Sequence, residues 1–106
     1  MNYKEKIDEI YNEIGQLSRD LLNYIKEEHI TDYSINNSDE FYKITSEQAI
    51  NIEGYIKDIN SHVKEFNYYT EFYVNKDEVE NYIKNISILL KYINKIEIGN
   101  NSVRED

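Results

Sequence analysis

Residues 3–28 read YKEKIDEIYNEIGQLSRDLLNYIKEE and place apolar side chains at alternating steps of four and three residues. This pattern repeats every 3.5 residues, which is the period of a helix packed lengthwise against another helix. Tyr11, Leu22 and Ile25 widen the apolar stripe, as is typical of a helix in a globular bundle. The stretch therefore predicts a first helix over about 3–28. Its stripe consists of Tyr3, Ile7, Ile10, Ile14, Leu17, Leu21 and Tyr24.

Two later stretches carry the same period and predict two further helices. Thr45 and Gln48 match a capping box, so a second helix is expected over about 46–67. Asn75 is a favourable N-cap for a third helix over about 76–97. The two apolar sets are Ala49, Ile52, Ile56, Ile59, Val63 and Phe66 in the second helix, and Val79, Tyr82, Ile83, Ile86, Leu89, Leu90, Ile93 and Ile96 in the third.

Three amphipathic helices with short connections bury their apolar faces most simply as an antiparallel all-α bundle. Proline is absent and glycine occurs three times, which also favours long helices. The chain is expected to be one helical domain over 1–106, with a short extra helix near 38–43 and a frayed tail at 100–106. Gly15 falls inside the first helix, and we expect it to allow the close approach of a neighbouring helix.

Charge and composition disfavour several classes of function. The chain has 21 acidic and 12 basic residues, a net charge of −9. Nucleic-acid affinity depends on basic side chains that neutralise phosphates, so neither direct nucleic-acid binding nor binding to an anionic membrane is expected. No stretch approaches the roughly 20 apolar residues of a membrane span. Cysteine is absent, which rules out disulfides and thiolate metal sites and favours a reducing, cytoplasmic location.

No motif indicates catalysis. The three glycines, Gly15, Gly54 and Gly99, are isolated, so the usual phosphate-binding loop is absent. Asp58 and His62 are four residues apart and could hold one side of a metal ion, but a structural hydrogen bond is the commoner role of such a pair. We therefore predict a protein that is not an enzyme and has no catalytic residues, metal site or cofactor.

The best candidates for partner binding are a cluster of aromatic residues and a run of acids. The helix period continues through Tyr69 and Tyr73, whereas Asn67 favours a helix end, so the segment 68–74 fits either a helix or a loop. Its four aromatics are typical of interface hot spots, and would equally serve to cover the end of the bundle. The acids in 27–42 fit either a solvated connection or a patch that attracts a basic partner. The predicted partner-binding residues are Tyr68, Tyr69, Phe72, Tyr73, Glu27, Glu28, Asp32, Asp39 and Glu40.

The function that these features favour is binding. Ile, Asn, Tyr and Lys make up 52 of the 106 residues, which indicates an AT-rich genome. In size, charge and composition the chain resembles the immunity proteins, antitoxins and phage anti-defence inhibitors of low-GC bacteria. We therefore expect a monomer or homodimer that binds and inhibits a protein with a basic surface, such as a nuclease or another nucleic-acid-binding protein. The alternatives are a structural or oligomerisation module and a small metal- or ligand-binding bundle.

Overall fold

The computed structural model describes residues 2–30 and 44–93, and the fold of this part of the chain is all-α. Helix α1 spans Tyr3–Glu27 and helix α2 spans Ser46–Glu71. A short 3₁₀ helix at Lys76–Val79 leads directly into helix α3 at Glu80–Ile93. The predicted bundle of three main helices is thus confirmed. The extra helix at 38–43, the end of the third helix at 94–97 and the tail at 100–106 lie outside the described residues.

The starts of α1 and α2 are fixed by side-chain caps. Asn2 Oδ1 accepts a hydrogen bond from the backbone N–H of Glu5 at 2.8 Å. At α2 both bonds of the predicted capping box form, with the Gln48 N–H donating to Thr45 Oγ1 at 3.1 Å and the Thr45 N–H donating to Gln48 Oε1 at 2.9 Å. These bonds satisfy backbone donors that have no partner within the helix, and so fix where each helix begins.

The third helix begins differently from the prediction. Asn75 makes no side-chain cap, and its amide nitrogen donates to Glu78 Oε1 at 3.0 Å. The backbone N–H of Glu78 bonds to the carbonyl oxygen of Asn75 at 3.3 Å. The first turn is therefore the tighter 3₁₀ form, in which each bond spans three residues.

Helix α1 ends in a Schellman motif. The N–H of Ile30 bonds to the carbonyl of Ile25 at 2.9 Å, and the N–H of His29 bonds to the carbonyl of Lys26 at 3.2 Å. His29 takes the left-handed conformation that this motif requires, with φ of 55°. The chain then turns so that Ile30 is buried.

Helices α1 and α2 pack antiparallel. Tyr3 lies against Tyr69 at one end of the pair, and at the other end the Asn51 amide donates to the Tyr24 hydroxyl at 2.9 Å. The apolar stripes predicted for both helices meet along this contact and form most of the core. The buried apolar side chains of the two helices are Ile7, Ile10, Ile14, Leu21 and Ile25 in α1, and Ala49, Ile52, Ile59, Val63 and Phe66 in α2.

Helix α3 lies along α1 and runs in the same direction. The Tyr11 ring stacks on the Tyr82 ring with centroids 3.9 Å apart, and the Asn85 amide donates to the Tyr11 hydroxyl at 2.8 Å. Ile86 and Ile93 are the buried residues of α3, whereas Ile83, which the period placed in the apolar set, is 41% exposed.

The expectation that Gly15 lets another helix approach closely is wrong. In the described part of the chain, a methyl group built at its Cα would meet one atom within 4 Å, the Nη1 of Arg19 in the same helix, at 3.4 Å. Gly15 therefore leaves open space beside α1. This space is the cleft described below.

Candidate functional site

Four aromatic side chains meet at the end of the bundle where α1 begins and α2 ends. Tyr69 lies edge-on to Tyr68 at 5.3 Å between ring centroids, and Phe72 lies 5.1 Å from Tyr68. Tyr3 of α1 completes the group, with its ring 6.0 Å from Tyr69 and 6.4 Å from Phe72. We call these four residues the aromatic cluster. Aromatic pairs at such distances attract each other beyond the effect of burial alone, by about 0.5–1.5 kcal/mol per pair.

The aromatic cluster faces solvent. Tyr68 is 58% exposed, Phe72 52% and Tyr3 48%, while Tyr69 packs partly against the core. Val74, just beyond α2, is 98% exposed. Large apolar groups held together and left in contact with water are unusual on monomeric proteins and often mark an interaction site.

Helix α2 is longer than predicted, and this places two members of the cluster on its last turn. It continues four residues beyond Asn67, to Glu71. The carbonyl of Asn67 accepts a bond from the Thr70 hydroxyl at 3.0 Å, and Thr70 is buried. Burial on this face favours helix over the left-handed cap that asparagine would otherwise tolerate. Tyr68 and Tyr69 are therefore held on a rigid element.

Tyr73, also predicted as a binding residue, packs against the bundle and is not a member of the aromatic cluster. Its ring packs against the core and its hydroxyl donates a hydrogen bond to the Glu78 carboxylate. This bond raises the pKa of Tyr73 above its ordinary value, because ionisation would place a phenolate beside a carboxylate. Tyr73 thereby links the end of α2 to the start of the third helix.

The basic side chains beside the cluster are engaged with acids. Lys4 Nζ lies 2.5 Å from Asp8 Oδ1, and this contact raises the pKa of Lys4 and lowers that of Asp8. Asp8 also accepts a hydrogen bond from Tyr82, which raises the pKa of Tyr82. Lys6 Nζ lies 3.7 Å from Glu65 Oε1 and 6.0 Å from the ring centre of Tyr69.

Acidic residues outnumber basic ones at this end of the molecule. Residues 2–9 and 64–80 contain eight acids and four bases. With Lys4 and Lys6 in ion pairs, the surface around the cluster carries a net negative charge. A negatively charged surface is electrostatically complementary to a partner with a basic surface.

Of the predicted acidic residues, the two that the structure describes, Glu27 and Glu28, do not join the aromatic cluster. Glu27 and Glu28 are exposed at the opposite end of α1. The helix has 25 residues, so its ends are separated by about 37 Å at 1.5 Å per residue. Asp32, Asp39 and Glu40 lie outside the described residues. The structure thus separates the described acidic candidates from the aromatic ones by the full length of the helix pair.

Of the Asp58–His62 pair, the structure places the His62 side chain against α1. The Nδ1 atom of His62 points toward α1, 3.4 Å from Glu13 Oε2, and lies 4.0 Å from Glu65 Oε2. This nitrogen is buried and makes no hydrogen bond within the described residues. Among those residues no group of three or more His, Cys, Asp or Glu side chains is arranged to hold a metal ion.

Nor is any described helix both long and apolar enough to cross a membrane.

Tyr3 is the site residue that sequence reasoning missed. It was counted as one more member of the apolar stripe of the first helix. In an antiparallel pair, however, the first turn of one helix lies beside the last turn of the other. The bundle topology together with the aromatics at 68–72 therefore contained the signal that Tyr3 belongs with them.

Fold and site define this protein as an all-α bundle that carries an exposed aromatic cluster in acidic surroundings. Comparison of the chain with protein families, with curated proteins and with solved structures finds no match.

Proposed function

We propose that the protein is a non-enzymatic binding protein that inhibits or neutralises a partner macromolecule through the aromatic cluster. The observation that carries this proposal is the convergence of Tyr3, Tyr68 and Phe72 from two helices into one patch that remains about half exposed. Tyrosine and other large aromatics are typical anchors of protein interfaces, because they bury much surface at a small entropic cost.

The size of the patch fits the centre of an interface with another protein. At about 150–250 Å² per aromatic side chain, the exposed halves of the three residues offer roughly 300 Å². Standard interfaces bury about 800 Å² on each partner, with hot spots at the centre and a less critical rim. The patch would supply the centre, and the neighbouring acidic surface would supply the rim.

A second copy of the chain fits this patch less well than a different protein does. Two patches packed face to face would bury roughly 600 Å² in total, about half the lower limit of a stable interface, so a dimer would have to bury the acidic rims of both copies against each other. Both copies would also bring the same negative charge together. We therefore favour a partner with a basic surface, of the kind that nucleases and other nucleic-acid-binding proteins carry.

The experiment compares three immobilised forms of the protein as bait in lysates of a low-GC bacterium. The first is the wild type, and the second is the cluster variant Tyr68→Ser/Phe72→Ser. The third is a control variant, Leu22→Ser/Ile88→Ser, which removes two side chains of similar exposure, 48% and 59%, from other surfaces. Circular dichroism and urea unfolding establish that all three are folded.

The proposal predicts a protein that the wild type and the control retain at moderate salt and the cluster variant loses. The retained protein, once purified, should lose its own activity when the wild type is added, and keep it when the cluster variant is added. Retention that is equal on all three baits would refute the role of the cluster. A wild-type bait that captures nothing would refute the binding function.

A further inference from the structure

A cleft of about 190 Å³ opens between α1 and α3. Ile14 from α1 and Ile86 and Leu89 from α3 supply its apolar walls. Gly15 lies on its α1 side, where the missing side chain leaves room. For comparison, a buried apolar cavity of about 150 Å³ is enough to bind benzene. The cleft therefore has the volume of one small ring or branched alkyl group.

The polar side chains that line the cleft are already engaged. Ser18 Oγ donates to the carbonyl of Ile14 at 2.7 Å, and the Asn85 amide donates to the Tyr11 hydroxyl at 2.8 Å. Tyr11 is itself held by its stack on Tyr82. The walls consequently offer an incoming group mainly hydrocarbon contact, on a scaffold whose side chains are fixed.

A guanidinium group lies beside Gly15, which is one of the residues that line the cleft. The Arg19 side chain leans back over Gly15, so that its Nη1 lies 3.4 Å from the position of a Gly15 methyl. Arg19 Nη2 donates to Gln16 Oε1 at 3.1 Å, and no carboxylate of the described residues forms an ion pair with Arg19. Within the described part of the chain, Nη1 is left to donate to an anion, which a guanidinium does with particular strength to a carboxylate.

We propose that this cleft binds small organic carboxylates. The hydrocarbon part lies between Ile14, Ile86 and Leu89, and the carboxylate accepts hydrogen bonds from Arg19. Asp20 is close in sequence but accepts a bond from Gln16 Nε2 at 2.9 Å, so Gln16 bridges the arginine and this acid. The volume selects an aryl or branched alkyl group of about six to eight heavy atoms. This site is independent of the aromatic cluster and of the partner proposed for it.

The test uses two probes, phenylacetate and 4-methylpentanoate, with phenylacetamide as the uncharged counterpart of the first. Each is titrated into ¹⁵N-labelled protein, and the amide resonances of residues 14–19 and 85–89 are followed. Gly15→Leu fills the cleft and Arg19→Gln removes the charge. Gly54→Leu is the matched control, because a Cβ atom built at Gly54 meets no atom of the described residues within 4 Å.

We expect at least one acid to give saturable shifts confined to these two stretches. Arg19→Gln should weaken binding of that acid about tenfold, as expected for loss of a charge-assisted contact, and leave phenylacetamide unchanged. Gly15→Leu should abolish the shifts, and Gly54→Leu should preserve them. The proposal is overturned if neither acid gives saturable shifts, if the amide binds as tightly as phenylacetate, or if Gly54→Leu and Gly15→Leu behave alike.

Discussion

Replacing Gly15 by alanine tests whether the space beside this residue of α1 is open. Sequence reasoning predicts that a neighbouring helix lies close to this glycine, and an added methyl would then clash and destabilise the fold. The structure predicts the opposite. Among the described residues, the methyl has one contact within 4 Å, Arg19 Nη1 at 3.4 Å, which is the tip of a long exposed side chain and can move.

The size of the effect follows from the position of Gly15 in α1. It lies in the middle of a 25-residue helix and does not have positive φ. Alanine in such a position is favoured over glycine by about 0.8–1.0 kcal/mol. We therefore expect Gly15→Ala to raise the free energy of unfolding by about 1 kcal/mol, or the melting temperature by about 4–8 °C.

Gly54→Ala is the matched control. Gly54 lies inside α2 and is exposed, and a methyl built there has no neighbour within 4 Å in the part of the chain that the structure describes. Gly54→Ala should raise the free energy of unfolding by the same amount as Gly15→Ala. The double variant should raise it by about 2 kcal/mol, because the two sites share no contact. Urea unfolding followed by circular dichroism measures all three changes. If Gly54→Ala is stabilising while Gly15→Ala is destabilising, a close neighbour lies at Gly15 and the cleft is not open as described. If neither is stabilising, the assignment of both glycines to helix interiors is wrong.

Three further predictions concern stability and titration. His29→Gly should raise the free energy of unfolding by about 0.5–1 kcal/mol, because glycine adopts positive φ without strain; an unchanged or lower urea midpoint would contradict the Schellman end of α1. The hydrogen bond from Lys4 lowers the pKa of Asp8 below its ordinary 3.8. The ionised Asp8 therefore stabilises the folded state above that pH, and this stabilisation is lost as pH falls through the folded pKa. Asp8→Asn should therefore be more destabilising in urea unfolding at pH 7 than at pH 2.5, and an equal loss at both would count against the ion pair. Hydrogen bonds to carboxylates raise the pKa of Tyr73 and Tyr82 above their ordinary 10.0. These bonds therefore stabilise the folded state below pH 10, and the stabilisation is lost as pH rises through the pKa values of the folded state. Absorbance at 295 nm should show a late-titrating fraction of tyrosine that shrinks in Tyr73→Phe and in Tyr82→Phe, and titration curves that coincide with the wild type would contradict the assignment.

The fold could be predicted from the sequence wherever burial follows the helix period. The stripe in α1 and the stripe in α2 both form the core, and the capping box of Thr45 and Gln48 marks a real helix start. Where local preference and tertiary contact compete, the sequence leaves the end of a helix open. Asn67 favours a helix end by itself, but the burial of Thr70 on the next turn carries α2 onward to Glu71.

The site was predicted in part. Tyr68, Tyr69 and Phe72 were identified from their spacing in the sequence, and the structure brings them together. Tyr3 was missed because counting a period treats every position on a stripe as equally buried, whereas a position at the end of a helix pair has a neighbour on one side only. The distance between the acids at 27–28 and the aromatic cluster depends on the directions in which the helices run. The spacing of residues along the sequence does not specify these directions.

The aromatic cluster also has a consequence for the newly made chain. Tyr3 and Phe72 are 69 residues apart in the sequence, yet their rings are neighbours. The complete surface exists only after α2 has left the ribosome and folded back along α1. A partner that binds the cluster therefore binds only chains in which α1 and α2 have packed together. Its binding also stabilises this packed state by mass action.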